Sequence, residues 1–552
     1  MKKYLLIALA SMLLSGLNAF SCNKDMQKLA DKVSVRCNPD PIALKGGAVQ
    51  TDLSINFPPK YFNKKAVVVA TPVFVYDGGE IEGAPLKYQG EKVVNNYRVV
   101  RYLGGIVNEH IVLPYKEGMA QGKLEIRAKY STNNGKKWID LPVKVVASGC
   151  NLTENLAGNG GCYEYKSDNY QEVITRRTQG QIMYMINSAE VRNSELKGES
   201  ITEFQKSLTE ADGNERDKIK NIDIIAYASP DGGEKLNDKL SMNRSQSASD
   251  KFKKVVSKKA GVDNVSTNVM SIGQDWEGFK ESVEKSNIQD KDLILRVLSM
   301  YSDPEVREKE IRNIASVYEE VANEVLPLLR RARFIANIEH TNYSDEELEA
   351  LIKEDIDVLD EEALLKAATL CDDNADKKVL YEKAVSKFKS SRAQFNLACL
   401  ALDNQENAEA EEAVRKCDAG DPEVANLAGV CAMRKGNADD AKEFFKKAGT
   451  ECAKKNLGTY DILEGNYTAA IINCGNESCD AALARLLDGD TDAAMKCIEK
   501  DDSAKANYIK AICLCKAGDI DNARAALKKA CEADAELAKR AETDIELAAL
   551  RQ

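Results

Sequence analysis

The residues best suited to bind a charged ligand lie on either side of one turn. Ile222, Ile224 and Ile225 form a short β-type run, a Ser-Pro-Asp-Gly-Gly turn (229–233) ends it, and a helix carrying Arg244 follows. An arginine guanidinium can hold a carboxylate through two parallel hydrogen bonds, and an aspartate can hold an ammonium. The pattern therefore predicts a strand, a turn and a helix that place Arg244 opposite the turn.

This segment resembles the centre of the OmpA C-terminal family, a periplasmic module that grips the diaminopimelate of peptidoglycan. In that family a strand ends in Gly-His-Thr-Asp, and Asn-x-x-Leu-Ser-x-x-Arg-Ala opens the next helix. Asn237, Leu240, Ser241 and Arg244 match the second half, whereas residues 226–229 read Ala-Tyr-Ala-Ser. The resemblance implies a ligand-binding site formed by Ser229, Asp231, Asn237 and Arg244.

The departure at Ser229 bears on the ligand that the resemblance implies. Diaminopimelate presents an ammonium and a carboxylate at one centre, and Ser229 stands where the family uses an aspartate. Losing a hydrogen bond to a charged group costs about 1.5–3 kcal/mol, or about one to two orders of magnitude in affinity. Asp231 compensates only if the turn differs. The alternative is that Arg244 pairs with a carboxylate or carbonyl of its own module.

The rest of the sequence argues against an enzyme. The only histidines, His110 and His340, have no metal-ligand spacing, and the cysteines lack the two-plus-two spacing of a zinc site. We find no phosphate loop, serine nucleophile elbow or paired-carboxylate signature. We therefore expect no catalytic residue, no metal and no cofactor.

The N-terminus predicts export. Lys2 and Lys3 precede an apolar run and small residues, which is typical of a signal peptide over 1–21. Ala-Phe-Ser before Cys22 fits a relaxed lipobox, so we expect lipidation of Cys22; the alternative is ordinary cleavage after Ser21. Residues 23–25, Asn-Lys-Asp, resemble the surface-export signals of Bacteroidota lipoproteins, although a solvated tether over 22–48 explains them equally.

The composition suits an exported body. The net charge of -11 and the lack of a basic domain argue against a nucleic-acid partner. Most of the 15 cysteines lie from Cys371 onward on apolar helix faces, where cysteine acts as a small hydrophobe. Cys150 and Cys162 bracket a short glycine-rich loop, which predicts a disulfide between them.

Three bodies follow the tether, in a multidomain α+β chain. Alternation over 49–150, with strands at 66–76 and 123–130 and a hairpin turn at 133–135, predicts an antiparallel β-sandwich. The strands and helices of 170–340, with a helical insertion before the last strand, predict an OmpA-like α/β module.

The region 344–552 predicts a helical-repeat domain. Ser344 opens a capping box, and Asn-Leu-Ala or Asn-Leu-Gly begins at Asn396, Asn426 and Asn456, every 30 residues. Later turn signals are each followed by alanine at helical spacing. This region resembles the tetratricopeptide-repeat family, an α-solenoid whose concave face suits protein segments.

Together these features predict a non-enzymatic outer-membrane lipoprotein that acts as a scaffold or adaptor in a cell-envelope complex of secretion or β-barrel assembly type. Its expected partners are envelope proteins bound through the repeats and the membrane bound through the lipid anchor. One alternative is a peptidoglycan-binding anchor, and another is a surface adhesin or fimbria-associated subunit. The sequence leaves the periplasmic face and the cell surface both open.

Overall fold

The computed structural model of the chain describes residues 24–158, 160–288, 291–313 and 315–551. Two compact units form. One comprises the chain up to Lys166 together with Lys389 to the C-terminus, and the other comprises Ser167–Phe388. The predicted signal peptide and Cys22 lie outside the described residues.

The first unit begins with a short helix and two β-sheets. The elements are α1 (Lys24–Lys28), β1 (Ser34–Lys45), β2 (Ala48–Phe57), β3 (Val67–Tyr76), β4 (Gly79–Glu82), β5 (Leu86–Gly90), β6 (Arg98–Val100), β7 (Gly105–Pro114), β8 (Lys123–Ser131), β9 (Ile139–Asp140), β10 (Lys144–Ser148) and β11 (Cys150–Asn151). One sheet has the order β11-β1-β2-β7, and the other has β10-β8-β3-β5-β6, with β4 beside β3 and β9 beside β8. The neighbouring strands are antiparallel except for β1 with β11 and β5 with β6, which are parallel.

Both sheets share one apolar core. Leu53 and Ile111 from the first sheet and Phe74 and Tyr130 from the second belong to the same buried cluster. Alternate residues of β2 are buried, as the period-two pattern requires. The predicted strands at 66–76 and 123–130 thus form the centre of a sandwich.

The second unit contains a four-stranded sheet. Its elements are β12 (Val173–Met183), α2 (Glu199–Asp212), β13 (Asp217–Ala228), α3 (Glu234–Lys251), α4 (Ser257–Ala260), β14 (Thr267–Gln274), α5 (Trp276–Lys285), α6 (Lys291–Met300), α7 (Pro304–Asn313), α8 (Ala315–Glu320) and β15 (Arg331–Thr341). The order is β12-β15-β13-β14, in which only β13 and β14 are parallel neighbours. Ile222, Ile224 and Phe334 pack on Phe204 and Phe252 of the helical layer.

Three further helices complete the second unit: α9 (Asp345–Glu354), α10 (Glu361–Leu370) and α11 (Asn374–Phe388). The capping box at Ser344 is confirmed, because its side chain accepts from the Glu347 amide and the Glu347 carboxylate accepts from the Ser344 amide.

The C-terminal part of the first unit is helical. Its helices are α12 (Ser391–Asp403), α13 (Asn407–Arg415), α14 (Pro422–Arg434), α15 (Ala438–Ala448), α16 (Glu451–Leu463), α17 (Tyr467–Cys474), α18 (Cys479–Asp488), α19 (Thr491–Cys497), α20 (Ala504–Ala517), α21 (Ile520–Ala533) and α22 (Ala535–Ala541). Consecutive helices pack in pairs, and fully buried alanines allow their close approach: Ala441, Ala470, Ala494 and Ala523.

The predicted succession of N-terminal sheets and a C-terminal helical region is confirmed, although α9, α10 and α11, the first helices of the predicted region 344–552, belong to the second unit. Within the described ranges, no helix has both the length and the apolar character that crossing a bilayer requires.

Candidate functional site

The most organised binding surface is a row of buried asparagines on the helical repeats. Asn396, Asn426 and Asn456 lie on α12, α14 and α16, the first helices of successive pairs, and each is at most 2% exposed. The 30-residue period places them at equivalent positions, so their amides form a ladder along one groove. Residues 158–166, which we call the strap, occupy this groove, and the described residues among them, 158 and 160–166, form neither helix nor strand.

The asparagine ladder binds the main chain of the strap. Asn396 Nδ2 donates to the Lys166 carbonyl (2.9 Å) and Asn396 Oδ1 accepts from the Lys166 amide (2.8 Å). Asn456 does the same at Cys162, accepting from its amide (2.6 Å) and donating to its carbonyl (3.0 Å). Asn426 Nδ2 donates to that carbonyl as well (2.9 Å), and its Oδ1 accepts from Asn456 (3.0 Å). Backbone recognition of this kind does not depend on the side chains of the bound segment.

Side chains at one end of the strap add specific contacts. The hydroxyls of Tyr163 and Tyr165 both donate to Asp403, at 2.6 and 2.5 Å. Lys166 forms an ion pair with Asp421 and lies over the ring of Phe395, 4.9 Å from its centre. Burial opposes ionisation of Asp421, but the bonds from Lys166 and a backbone amide lower its pKa. At this end the groove presents two carboxylates, and the strap presents two tyrosine hydroxyls and a lysine ammonium to them.

The other end of the strap depends on small residues. The Gly158 amide donates to Asp480, which also receives bonds from Thr459 and Lys505, each 2.7 Å long. Gly161 has φ +80°, and a Cβ there would come within 2.7 Å of Val430. A side chain at Gly161 would therefore be both strained and obstructed.

A disulfide joins the strap to the wall of its groove. Cys162 is bonded to Cys452 of α16; their Cα atoms are 5.0 Å apart, although the two residues are separated by 290 positions in the sequence. The predicted Cys150–Cys162 disulfide is wrong. Cys150 lies in β11, which pairs with β1, so its thiol is buried in the sandwich, and burial raises its pKa to about 12.

The residues just before the strap attach the sandwich to the repeats. Glu154 is almost completely buried and accepts hydrogen bonds from the amides of Gly46 and Gly47 and from the Tyr467 hydroxyl. Arg540 donates to the Leu152 carbonyl at 2.6 Å. The sandwich turn, the linker and the helices are therefore fixed to one another within this unit.

In the second unit, the structure brings Ser229, Asp231 and Asn237 together at the predicted turn. The Ser229 hydroxyl donates to Asp231, whose other carboxylate oxygen pairs with Arg330 at 3.3 Å. Asn237 Nδ2 donates to the carbonyls of Ser229 (3.1 Å) and Gly232 (2.7 Å). A ligand ammonium at Asp231 would therefore compete with Arg330.

Arg244 is directed at the backbone of its own module. It is fully buried, and its three nitrogens donate to the carbonyls of Ser188 (2.9 Å), Tyr227 (2.9 Å) and Met185 (3.2 Å). Burial lowers the pKa of Arg244 to about 10. Arg244 thus pairs with carbonyls of its own module, which is the alternative to ligand binding that the sequence left open. Recognition of peptidoglycan at this site stays a prediction.

The histidines bind single carboxylates. His110 Nδ1 lies 2.8 Å from Asp52, and His340 Nδ1 lies 2.6 Å from Asp217. Within the described part of the chain, no three histidine, cysteine or acidic side chains are grouped so as to hold a metal ion.

Comparisons with known proteins give structural likenesses only. No family model and no curated protein matches the chain. A tetratricopeptide repeat protein from Parabacteroides merdae matches with a TM-score of 0.29 and 17% identity, over 36% of this chain and 91% of that one. Yeast Tom70 matches with a TM-score of 0.20 and 14% identity, over 72% of this chain and 69% of that one. The resemblance of the second unit to the OmpA C-terminal family stays a prediction.

Proposed function

We propose that this protein is a non-enzymatic interaction scaffold of a cell-envelope complex. The observation that carries the proposal is the asparagine ladder, which holds an irregular polypeptide segment by its main chain along three successive helix pairs. Stacked helix pairs with such a groove suit the binding of protein segments rather than small molecules.

The strap defines how the scaffold is built. It is part of the same chain, so the groove first serves to hold the sandwich, the linker and the repeats together. A rigid body of this kind presents its outer surfaces to partners without the entropic cost of ordering them at each encounter.

The predicted export route implies that the scaffold lies at the outer membrane. A lipid on Cys22 would tether it to the outer membrane, and the envelope complexes expected there are of secretion or β-barrel assembly type. Cys22 can be tested by labelling cells with a palmitate analogue, which should mark the wild type and spare Cys22→Ser.

The experiment that tests the scaffold is affinity isolation from native membranes. We compare the wild type with an Asn426→Ala/Asn456→Ala variant and with Asn507→Ala. Asn507 is also buried but donates to the nearby carbonyls of Asp502 and Ser503, away from the strap. Envelope proteins recovered with the wild type and the Asn507 variant, but lost from the ladder variant, are the expected result. An unchanged set in all three, or no envelope protein in any, would contradict the proposal.

The predicted peptidoglycan anchor is tested separately, by sedimenting the full chain with purified peptidoglycan. Because Asp231 is paired with Arg330 and Arg244 is buried, we expect the wild type to stay in the supernatant. The adhesin alternative predicts cleavage of the protein by protease added to intact cells, whereas a periplasmic scaffold would survive.

A further inference from the structure

Three segments of the sandwich are basic in an otherwise acidic chain. Residues 58–66, 91–104 and 132–138 together carry eight lysines and arginines and one acidic residue, Glu91, although the whole chain has a net charge of -11. The basic residues are Lys60, Lys64, Lys65, Lys92, Arg98, Arg101, Lys136 and Lys137, all of them exposed.

Hydrogen bonds show that these three segments lie at the same end of the sandwich. The Lys60 amide donates to the Tyr102 carbonyl (2.7 Å), and the Lys92 amide donates to the Lys64 carbonyl (2.8 Å). Asn95 Nδ2 donates to Asn134 Oδ1 at 3.4 Å. We call this surface the basic end. Among the ion pairs of the described residues, one joins a cation of the basic end to a carboxylate outside the three segments: Arg98 pairs with Glu109 at 2.9 Å.

Aliphatic side chains project from the same surface. Val94 is 98% exposed and Leu103 is 79% exposed, and Ile106 follows directly at the start of β7 at 66%. Tyr97, Tyr102 and Trp138 stand near them, with Lys87, Lys64 and Lys129 over their respective rings. Exposing aliphatic side chains to water is unfavourable in free energy. Here they stand among lysines and among tyrosine and tryptophan side chains, and these two aromatic residues favour the membrane interface.

We propose that the basic end docks on an anionic membrane surface. The lysines and arginines would face the lipid phosphates, while Val94 and Leu103 would enter the boundary between headgroups and acyl chains. A bilayer that contains anionic lipids offers both contacts at once, phosphates for the cations and an apolar boundary for the aliphatic tips.

The start of the described chain favours this orientation. Gln27 of α1 donates to the Asp140 carbonyl at 3.0 Å, and Asp140 belongs to β9, which begins just after segment 132–138. Residue 22, the expected lipid attachment point, is only five positions before Gln27. A lipid on Cys22 and a basic surface on the same domain would bind the same membrane by two different contacts, one apolar and one electrostatic.

The test uses the mature chain from residue 22 with Cys22→Ser, which has no acyl group. Flotation compares vesicles of phosphatidylcholine with vesicles that also contain phosphatidylglycerol. We expect binding to the anionic vesicles only, and less of it at high salt. Because each basic residue near such a surface contributes about fivefold to the partition coefficient, Lys60→Gln/Lys64→Gln/Lys92→Gln should weaken binding about 100-fold.

Two further variants keep the proposal falsifiable. A matched control, Lys446→Gln/Lys447→Gln/Lys529→Gln, removes three exposed charges from the helical repeats and should bind as the wild type does. Val94→Ser/Leu103→Ser retains every charge and should weaken binding about tenfold per side chain. Equal binding to both kinds of vesicle, equal loss in the control, or undiminished binding by the serine variant would each overturn the proposal. All eight substituted positions are exposed, so every variant should keep the wild-type unfolding midpoint.

Discussion

Replacing Asn456 by alanine should loosen the main chain around Cys162, which stays bonded to Cys452, while leaving the fold intact. The substitution removes two hydrogen bonds to Cys162 and one to Asn426. At about 1 kcal/mol each, their loss lowers the free energy of local opening by about 3 kcal/mol, which corresponds to about 150-fold faster exchange of the strap amides. The Cys162 amide would also lose its acceptor in a partly buried setting, so this value is a lower bound.

Hydrogen exchange followed by mass spectrometry measures the effect directly. The peptide that contains residues 160–166 should exchange faster in Asn456→Ala, and peptides from β3 and β8 should not change. Asn507→Ala is the matched control, because it removes another buried asparagine, whose hydrogen bonds go to Asp502 and Ser503 and not to the strap. If the strap exchanges at the wild-type rate in Asn456→Ala, or equally fast in both variants, the ladder does not hold the strap and our reasoning fails.

Three further predictions concern the second unit and the disulfide. Arg244→Ala should destabilise the second unit by about 4 kcal/mol in denaturant unfolding, because three carbonyls lose a charged donor, whereas exposed Lys239→Ala should change little. Burial opposes ionisation of Asp217, but bonds from His340 and Arg176 outweigh it and lower its pKa. The stability that ionised Asp217 gains from these two partners is therefore complete above pH about 4 and is lost as the pH falls through the lower pKa of the folded state. The same loss should be absent when the free energy of unfolding of Asp217→Asn is followed against pH. Cys162→Ser should leave Cys452 as a new thiol that alkylating reagents detect under denaturing conditions without reductant, so the thiol count should rise by one; a count that falls by one would refute the disulfide.

Much of the fold was predictable because its signals are local. The strand at 66–76 and the hairpin at 133–135 follow from alternation and turn residues within a few positions. The 30-residue recurrence of Asn396, Asn426 and Asn456 indicated the repeats, and the turn glycines marked the helix ends. These patterns require only that neighbouring residues share a face or a turn.

The site itself was not predictable, because it depends on contacts between distant parts of the chain. The strap has no periodicity, and its partners lie 230 to 322 positions away. Cys150 seemed the natural partner of Cys162 because it is the nearest cysteine in sequence, but its strand buries it elsewhere. The buried asparagines were a usable signal, since an unpaired amide is rarely tolerated in a helix interface and therefore indicates a bound segment. Arg244 shows the reverse case, in which a family-like residue is explained by burial and backbone pairing.

The long separation between Cys162 and Cys452 has a consequence for biosynthesis. Residues 158–166 are made more than 200 positions before the helices that enclose them, so the whole of Ser167–Phe388 is synthesised while the strap has no groove. During this interval the Cys162 thiol is unprotected, and Cys150 is the nearest thiol in the nascent chain. On the predicted export route, oxidation of Cys162 has to wait until α16 has emerged, so correct maturation would depend on the order in which the parts of the chain reach an oxidising compartment.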